Sequence, residues 1–241
     1  MGWHGGPLVG FDTETTGVDV GSDRIVTAAV VRRAAGTTVA RTWLIDPGVP
    51  IPSGATAVHG ISTEHARAHG RPPREALEEV ASALVSAWRT GAPVVAFNAA
   101  YDLSLLDREL ARHGLPTVPQ RLGRPAGPVI DPLVLDRAED RYRPGKRRLG
   151  DLCAVYGVAT PDALHAAHVD VVATLDVLDA IVARFPHLAD LDLAALQAYQ
   201  VHAHLAWAEH FNAWRALQGL AGPGADLDWP VRAPEPVQRA V

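Results

Sequence analysis

The chain has one cysteine, one methionine and one lysine in 241 residues. A lone Cys153 cannot form an intrachain disulfide, and a cysteine-rich zinc cluster is excluded by count, so a reducing compartment fits. Aromatics are scarce at 6%, and no apolar run approaches the roughly 20 residues that a membrane-spanning helix needs. The opening MGWHGGPL lacks a basic region and an apolar secretory segment. Gly6 stands where a myristoylation pattern wants Ser or Thr. The expectation is a cytoplasmic protein with no membrane association. Disorder is also disfavoured overall, because 48% of residues are apolar and 20% charged, an ordinary balance for a folded chain with one sizeable core.

A net charge of -5 argues against a broad nucleic-acid footprint. Its distribution matters more than the sum. The only lysine, Lys146, sits in RAEDRYRPGKRR with Arg137, Arg141, Arg143, Arg147 and Arg148. This patch reads either as a solvated loop or as a phosphate-binding track, and it leans towards the second if an acidic catalytic site lies beside it.

Residues 8–12, 25–31 and 38–45 read as successive strands joined by turn material, an antiparallel start. The Pro/Gly-rich WLIDPGVPIPSGATAVHGIS reads as a loop, followed by a short helix capped by Ser62 or Thr63. REALEEVASALVSAWR has helical periodicity, PVVAF reads as a strand, and YDLSLLDRELARHG as a helix stopping at Gly114. PVID is a further strand, RLGDLCAVYG a short helix and AAHVDVVATLDVLDAIVARF a long one. Strands first, then alternating helix and strand, predict an α/β domain over 1–185 with a mixed sheet flanked by helices. Residues 186–220 predict a helical extension, single or broken, with Leu193, Leu196, Gln200, Ala203, Trp207, His210, Trp214 and Leu217 in one stripe. That stripe suits packing on the domain, a polymerase-like partner or a homodimer. Residues 221–241, with three prolines after residue 229, predict an extended or disordered tail.

The stretch LVGFDTETTG ends an apolar run on Asp12 and Glu14. Strand alternation puts both on one face. Two like charges ~4 Å apart repel by on the order of 4 kcal/mol at an effective dielectric near 20, so a proton or cation must compensate. Asp102 follows a strand at the start of a helix, where it serves as a site residue or as an N-terminal acid. His165 and Asp170 lie five positions apart, a rotation of about 500°, so His165 belongs on the preceding loop or first turn.

DTETTG, FNAAYD and HAAHVD, in this order, resemble the three motifs of the DnaQ-like, or DEDDh, 3′→5′ exonucleases. PGVPIPSGATAVHGIS resembles that family's substrate-proximal loop and VIDPLVLDR its strand after the second motif, so the likeness covers roughly residues 7–184. The resemblance implies a ribonuclease H-like fold and four metal ligands, Asp12, Glu14, Asp102 and Asp170, holding two Mg²⁺ or Mn²⁺ ions. It implies His165 as general base. Thr15 and Thr16 would lie near the terminal 3′-hydroxyl, and His59 and Asn98 would line the same pocket. The substrate implied is single-stranded or 3′-terminal DNA, with RNA the nearest rival, and Arg147 and Arg148 would follow its backbone. Phe97 departs from the histidine that often opens the second motif, which bears on substrate contacts and not on the ligands. His168, two residues from Asp170, reads as a surface group or as one that supports the ligands from behind. Asp131, Asp136, Asp162 and Asp176 read as caps or solvated helix charges. A catalytically silent binding module is the reading from another class, and five filled catalytic positions weigh against it.

Overall fold

In the computed structural model, which describes residues 2–159 and 166–233, a five-stranded sheet has the order β3-β2-β1-β4-β5. Its strands are β1 (Leu8–Thr15), β2 (Ile25–Ala34), β3 (Thr37–Leu44), β4 (Val94–Val95) and β5 (Val129–Ile130). The first three pair antiparallel, and β4 and β5 join in parallel, so the sheet is mixed as the element order predicts. Ala35 and Gly36, at φ 48° and 75°, close the β2–β3 hairpin. Two central residues with positive φ match the right-handed twist of the flanking strands.

Helices follow as α1 (Ser53–His59), α2 (Thr63–His69), α3 (Pro73–Arg89), α4 (Ala99–Arg112), α5 (Val118–Leu122) and α6 (Pro132–Glu139). Then come α7 (Leu149–Tyr156), α8 (Ala167–Arg184), α9 (His187–Asp190) and α10 (Leu193–Leu217). Two segments differ from the sequence reading. Part of the predicted 43–62 loop is the helix α1, which leaves Pro52 in an extended conformation and stops at Gly60 with φ 77°. Proline and glycine here mark the ends of a short helix, not its absence. The VIDPLVLDR segment is strand only at Val129–Ile130, because Asp131 caps α6 and Pro132 opens it.

Strand alternation sorts β1 between two cores. Val9 and Phe11 join the side built with Leu77, Leu84 and Leu106 from α3 and α4. Leu8 joins the opposite side, with Val171, Leu175 and Leu178 of α8. Even-numbered residues of β1 therefore face α8, and odd-numbered ones face α3 and α4.

The edge strand β5 is covered by a helix. Gln197 accepts from the Val129 amide (2.7 Å), while Gln200 donates to the Val129 carbonyl (3.0 Å) and accepts from the Asp131 amide (2.7 Å). Two glutamines on α10 thus stand in for a sixth strand and close the open edge. The inner face of α10 packs on the domain through Leu196 and Gln200 of the predicted stripe and through His204 and Ala208 outside it, whereas Trp214 and Leu217 remain exposed. Beyond α10 the chain turns back, and Trp229 is buried in the α3–α4 core. No helix among the described residues is long and apolar enough to cross a membrane.

Candidate active site

Asp12 and Glu14 leave β1 on the α8 side, ahead of an irregularity in pairing between Glu14 and Thr15. The helix α8 approaches this face closely at Gly10, where an added Cβ would stand 2.2 Å from Val171 Cγ1. That contact brings Asp170, in the first turn of α8, against the strand end. Carboxylate oxygens of Asp12, Glu14 and Asp170 lie within 4.8 Å of one another.

Asp102 reaches the cluster from the other side. The Val9 amide bonds to Pro93, so odd-numbered amides of β1 point towards β4, and β4 runs out after Val95. The Thr13 amide, beyond that end, donates to Asp102 Oδ1 at 3.1 Å, and the Thr13 hydroxyl donates to the same atom at 2.6 Å. Asp102 is thereby fixed in the first turn of α4. Both Asp102 and Asp170 occupy helix N-terminal turns, where the helix dipole favours negative charge. Asp131 sets the α4 end itself: its carboxylate accepts from the Asn98 (3.0 Å), Ala99 (2.9 Å) and Leu133 (2.9 Å) amides.

Carboxylates gathered in one place raise the proton affinity of Asp12 and Glu14. Burial, then Asp102, Asp170 and Glu14, push Asp12 well above the usual carboxylate range. Burial, then Asp170 and Asp102, push Glu14 up to about 8. Asp102 rises to about 7 through burial, against the lowering effect of the Thr13 bonds. Among the described residues every influence on Asp12 raises it, so none of them supplies a compensating cation there. An all-oxygen donor set with excess negative charge fits a hard divalent cation such as Mg²⁺ or Mn²⁺.

The stability consequence has a definite sign. In chelator, between the ordinary carboxylate pKa near 4 and about 8, the folded state binds more protons at these groups than the unfolded state does. Stability therefore falls as pH rises through that window. Thermal unfolding in EDTA should show a midpoint lower at pH 8 than at pH 5.5, and Mn²⁺ should raise it more at pH 8. A Mn²⁺ shift equal at both pH values would mean that the carboxylates do not hold the ion.

Glu14 also lines a cleft of about 250 Å³ with His59, His65 and His168, closed on one side by Ala166 and Ala167. His165 lies outside the described residues, as does Asp162. A cavity of about 880 Å³ opens at the other end of β1, around Pro7, Val9 and Val39, away from these carboxylates.

The sequence model of the exonuclease family RNase T matches residues 9–178. The chain belongs to the DnaQ-like exonuclease family. It is 33% identical over 166 residues to the DNA polymerase III PolC-type protein of Streptococcus thermophilus, covering 68% of this chain and 10% of that one. It is 35% identical over 180 residues to a DNA polymerase III subunit epsilon-like protein of Rhodobacter capsulatus, covering 70% and 23%. The chain thus spans between a tenth and a quarter of the length of these relatives. Among solved structures, an exonuclease I superposes with a TM-score of 0.65 at 21% identity, covering 77% of this chain and 42% of the other. Exonuclease I from Methylocaldum szegediense does so at 0.62 and 23% identity, covering 87% and 45%. The fold of this nuclease domain is therefore ribonuclease H-like.

In the exonuclease domain the remaining predicted site residues divide into two groups. His59 reaches the Glu14 cleft, with Nδ1 accepting from the Ile61 amide at 3.2 Å. His168 is exposed, as read from sequence, and borders the same cleft. Asn98 is exposed at the N-cap of α4 with φ 60°. The threonine hydroxyls are committed within the protein. Thr15 donates to the Gly17 carbonyl (2.6 Å) and meets the Tyr101 hydroxyl (2.9 Å), while the buried Thr16 donates to Asp23 (2.7 Å). Thr13, Tyr101 and His65 escaped the sequence reading. Only Thr13 carried a signal, as the residue between the two carboxylates.

One reading beside the basic patch needs correction. Asp136, read as a cap or solvated charge, is fully buried. Arg143 (2.8 Å), Arg147 and the Tyr156 hydroxyl (2.9 Å) converge on its carboxylate. Arg147 also donates to the Asp140 carbonyl at 2.5 Å. A buried carboxylate draws in the nearest guanidiniums, because an unpaired buried charge is costly. Arg141, Lys146 and Arg148 stay exposed. Arg147→Ala should lower unfolding stability by ~1–3 kcal/mol and leave single-stranded DNA affinity within about twofold. Weaker DNA binding at unchanged melting temperature would restore Arg147 to the phosphate track.

Proposed function

We propose that the protein is a metal-dependent 3′→5′ exonuclease that releases nucleoside 5′-monophosphates from the 3′ end of single-stranded or frayed DNA, in proofreading or repair. The observation that carries this reading is the convergence of Asp12, Glu14 and Asp170, with Asp102 pinned beside them by Thr13. The four carboxylates would hold a pair of Mg²⁺ or Mn²⁺ ions. When bound, such a pair neutralises the phosphodiester and supplies an activated water for in-line displacement. His165, whose ordinary pKa lies near 6.5, would accept the proton of that water near neutral pH. His59 and Asn98 would flank the terminal nucleotide. Thr15 and Thr16, with their hydroxyls committed, would act there through backbone and shape.

DNA is the favoured substrate because the similar curated proteins are named as DNA polymerase III components and an Escherichia coli exonuclease I neighbour was solved with a dT13 oligonucleotide. The inner face of α10 is occupied by the domain itself, so contact with a polymerase or second copy would use its exposed last turns, around Trp214 and Leu217.

Digestion of 5′-labelled single-stranded DNA and RNA of one sequence, with Mg²⁺, with Mn²⁺ and with chelator, tests the reading. The expected result is a metal-dependent ladder shortening from the 3′ end, stronger on DNA. A stronger RNA ladder would reassign the substrate, and no ladder on either from folded, metal-loaded protein would sink the enzymatic reading.

A further inference from the structure

Two adjoining cavities, of about 590 and 600 Å³, share Arg137 and Trp207 as a common wall. The first opens beside Asn98, the residue that caps the helix carrying Asp102, and is bordered by Val18 and Val20 of the loop after β1. The second continues along α10 past Arg141, Tyr142 and Phe211. Together they form a groove running from the rim of the carboxylate site towards the far end of α10. Much of its wall, α10 and the returning tail, lies beyond residue 178, where the family match ends.

Arg137 is the unusual member of this groove. Its guanidinium lies 3.6 Å from the centre of the Trp207 ring. Among the described residues no carboxylate pairs with it, and no hydrogen-bond acceptor meets it, whereas its neighbours Arg143 and Arg147 are both committed to Asp136. Burial lowers it to about 10, against the raising effect of the Asp131 and Asp136 carboxylates, which leaves it charged at neutral pH. A half-buried cation with no anion in hydrogen-bonding contact is placed to take one.

The aromatic side chains supply the second feature. Trp207 stacks on Phe211 (centroids 5.4 Å apart, planes 14°), and Phe211 on Trp214 (5.9 Å, 27°). Trp214 is 47% exposed and Tyr142 89% exposed. The second cavity is lined by Arg137, Arg141 and the Asp136-bound Arg147, with no acidic residue among its described lining. In the first, Asp19 and Asp226 are also present, and both accept bonds from nearby backbone amides. Cations for phosphates beside aromatic faces for bases are what a single strand needs and a duplex cannot use.

We infer that this groove is the path of the single strand upstream of its 3′-terminal nucleotide, with Arg137 on a phosphate and the aromatic row centred on Phe211 beside the bases. This rests on the proposed nuclease function and names the part of the substrate that lies outside the carboxylate site. It also divides the basic patch by role, with Arg137 and Arg141 facing the strand and Arg143 and Arg147 holding the fold. A sequence-tolerant grip on several nucleotides makes affinity grow with strand length.

The test is fluorescence anisotropy with labelled dT4 and dT16 in chelator, for wild type, Arg137→Met and Phe211→Ala. Methionine keeps apolar contact with Trp207 while removing the charge. Each variant should reduce the advantage of dT16 over dT4 by about five- to tenfold, in line with base–aromatic stacking and a lost phosphate contact. Arg137→Met should also lower the slope of log affinity for dT16 against log salt by about 0.7. An unchanged dT16/dT4 ratio and salt slope in folded variants would overturn the inference and leave the groove to a protein segment. Equal loss for both lengths with a lowered melting temperature would overturn it too, marking Arg137 as a clamp for α10. Hydrolysis of p-nitrophenyl thymidine 5′-monophosphate by wild type, which needs only the terminal-nucleotide site, reports separately on the nuclease reading.

Discussion

Asp12→Asn should abolish hydrolysis, by about 10³-fold or more on a 5′-labelled single strand, a loss of the size seen when a principal electrostatic contact is removed, while making the metal-free protein more heat-stable at pH 8. The two effects share one cause. Asp12 sits where burial and three other carboxylates oppose its ionisation, so the amide removes a repulsion that the folded chain tolerates only for the sake of a cation. The midpoint in EDTA at pH 8 should rise by a few degrees, at ~2–4 °C per kcal/mol for a domain of this size. The Mn²⁺-induced rise should shrink, because one of three converging oxygen ligands is gone. Scanning calorimetry beside the gel assay checks all three. A variant that is inactive, metal-responsive like wild type and no more stable would assign Asp12 to substrate contact and not to the metal.

The order of elements and the carboxylate face of β1 were legible because both follow from local periodicity. Strand alternation placed Asp12 and Glu14 together, and helical spacing placed α3, α4 and α8. Contacts between residues far apart in sequence were not legible in this way. The stripe through Gln200 suited packing on the domain, but nothing near Gln197 or Gln200 signals that α10 covers the edge of β5, since a helical glutamine does not reveal its partner amide. Asp136 and Arg147 misled for the same reason. In isolation, an acid in a helix and an arginine in a basic run are surface residues. Only the tertiary fold shows that Arg143 and Arg147 return to a helix, α6, begun a dozen residues earlier, and that Arg137 is left over. The C-terminal segment after residue 218 carried proline and glycine, hence the expectation of a loose tail. Yet Trp229 is 7% exposed, and its indole reaches towards Asp131, the residue that fixes the α4 N-terminus.

Gly10→Ala should cost both stability and activity, although Gly10 bears no chemistry. The methyl group would arrive 2.2 Å from Val171 Cγ1, with Leu175 Cδ1 at 3.4 Å, and carbon atoms settle at about 3.5–4.0 Å. The helix α8 must then retreat by about 1 Å or more, and Asp170, adjacent to Val171, retreats with it. Overpacking of this kind costs ~1–3 kcal/mol. Displacing a ligand by about 1 Å costs on the order of 100-fold in rate, so the larger effect should be on kcat/KM. The clash is with one side-chain atom, which makes the cause separable. Val171→Ala alone opens a small cavity and destabilises modestly, whereas Gly10→Ala combined with Val171→Ala lets the two methyl groups exchange places. The double variant should recover most of the activity lost in Gly10→Ala and be more stable than the two single effects added together. Urea unfolding and single-strand hydrolysis across the four proteins measure both couplings. Without recovery in the double variant, the distance between β1 and α8 would not be what holds Asp170 against Asp12, and the glycine would be acting through the backbone of the strand.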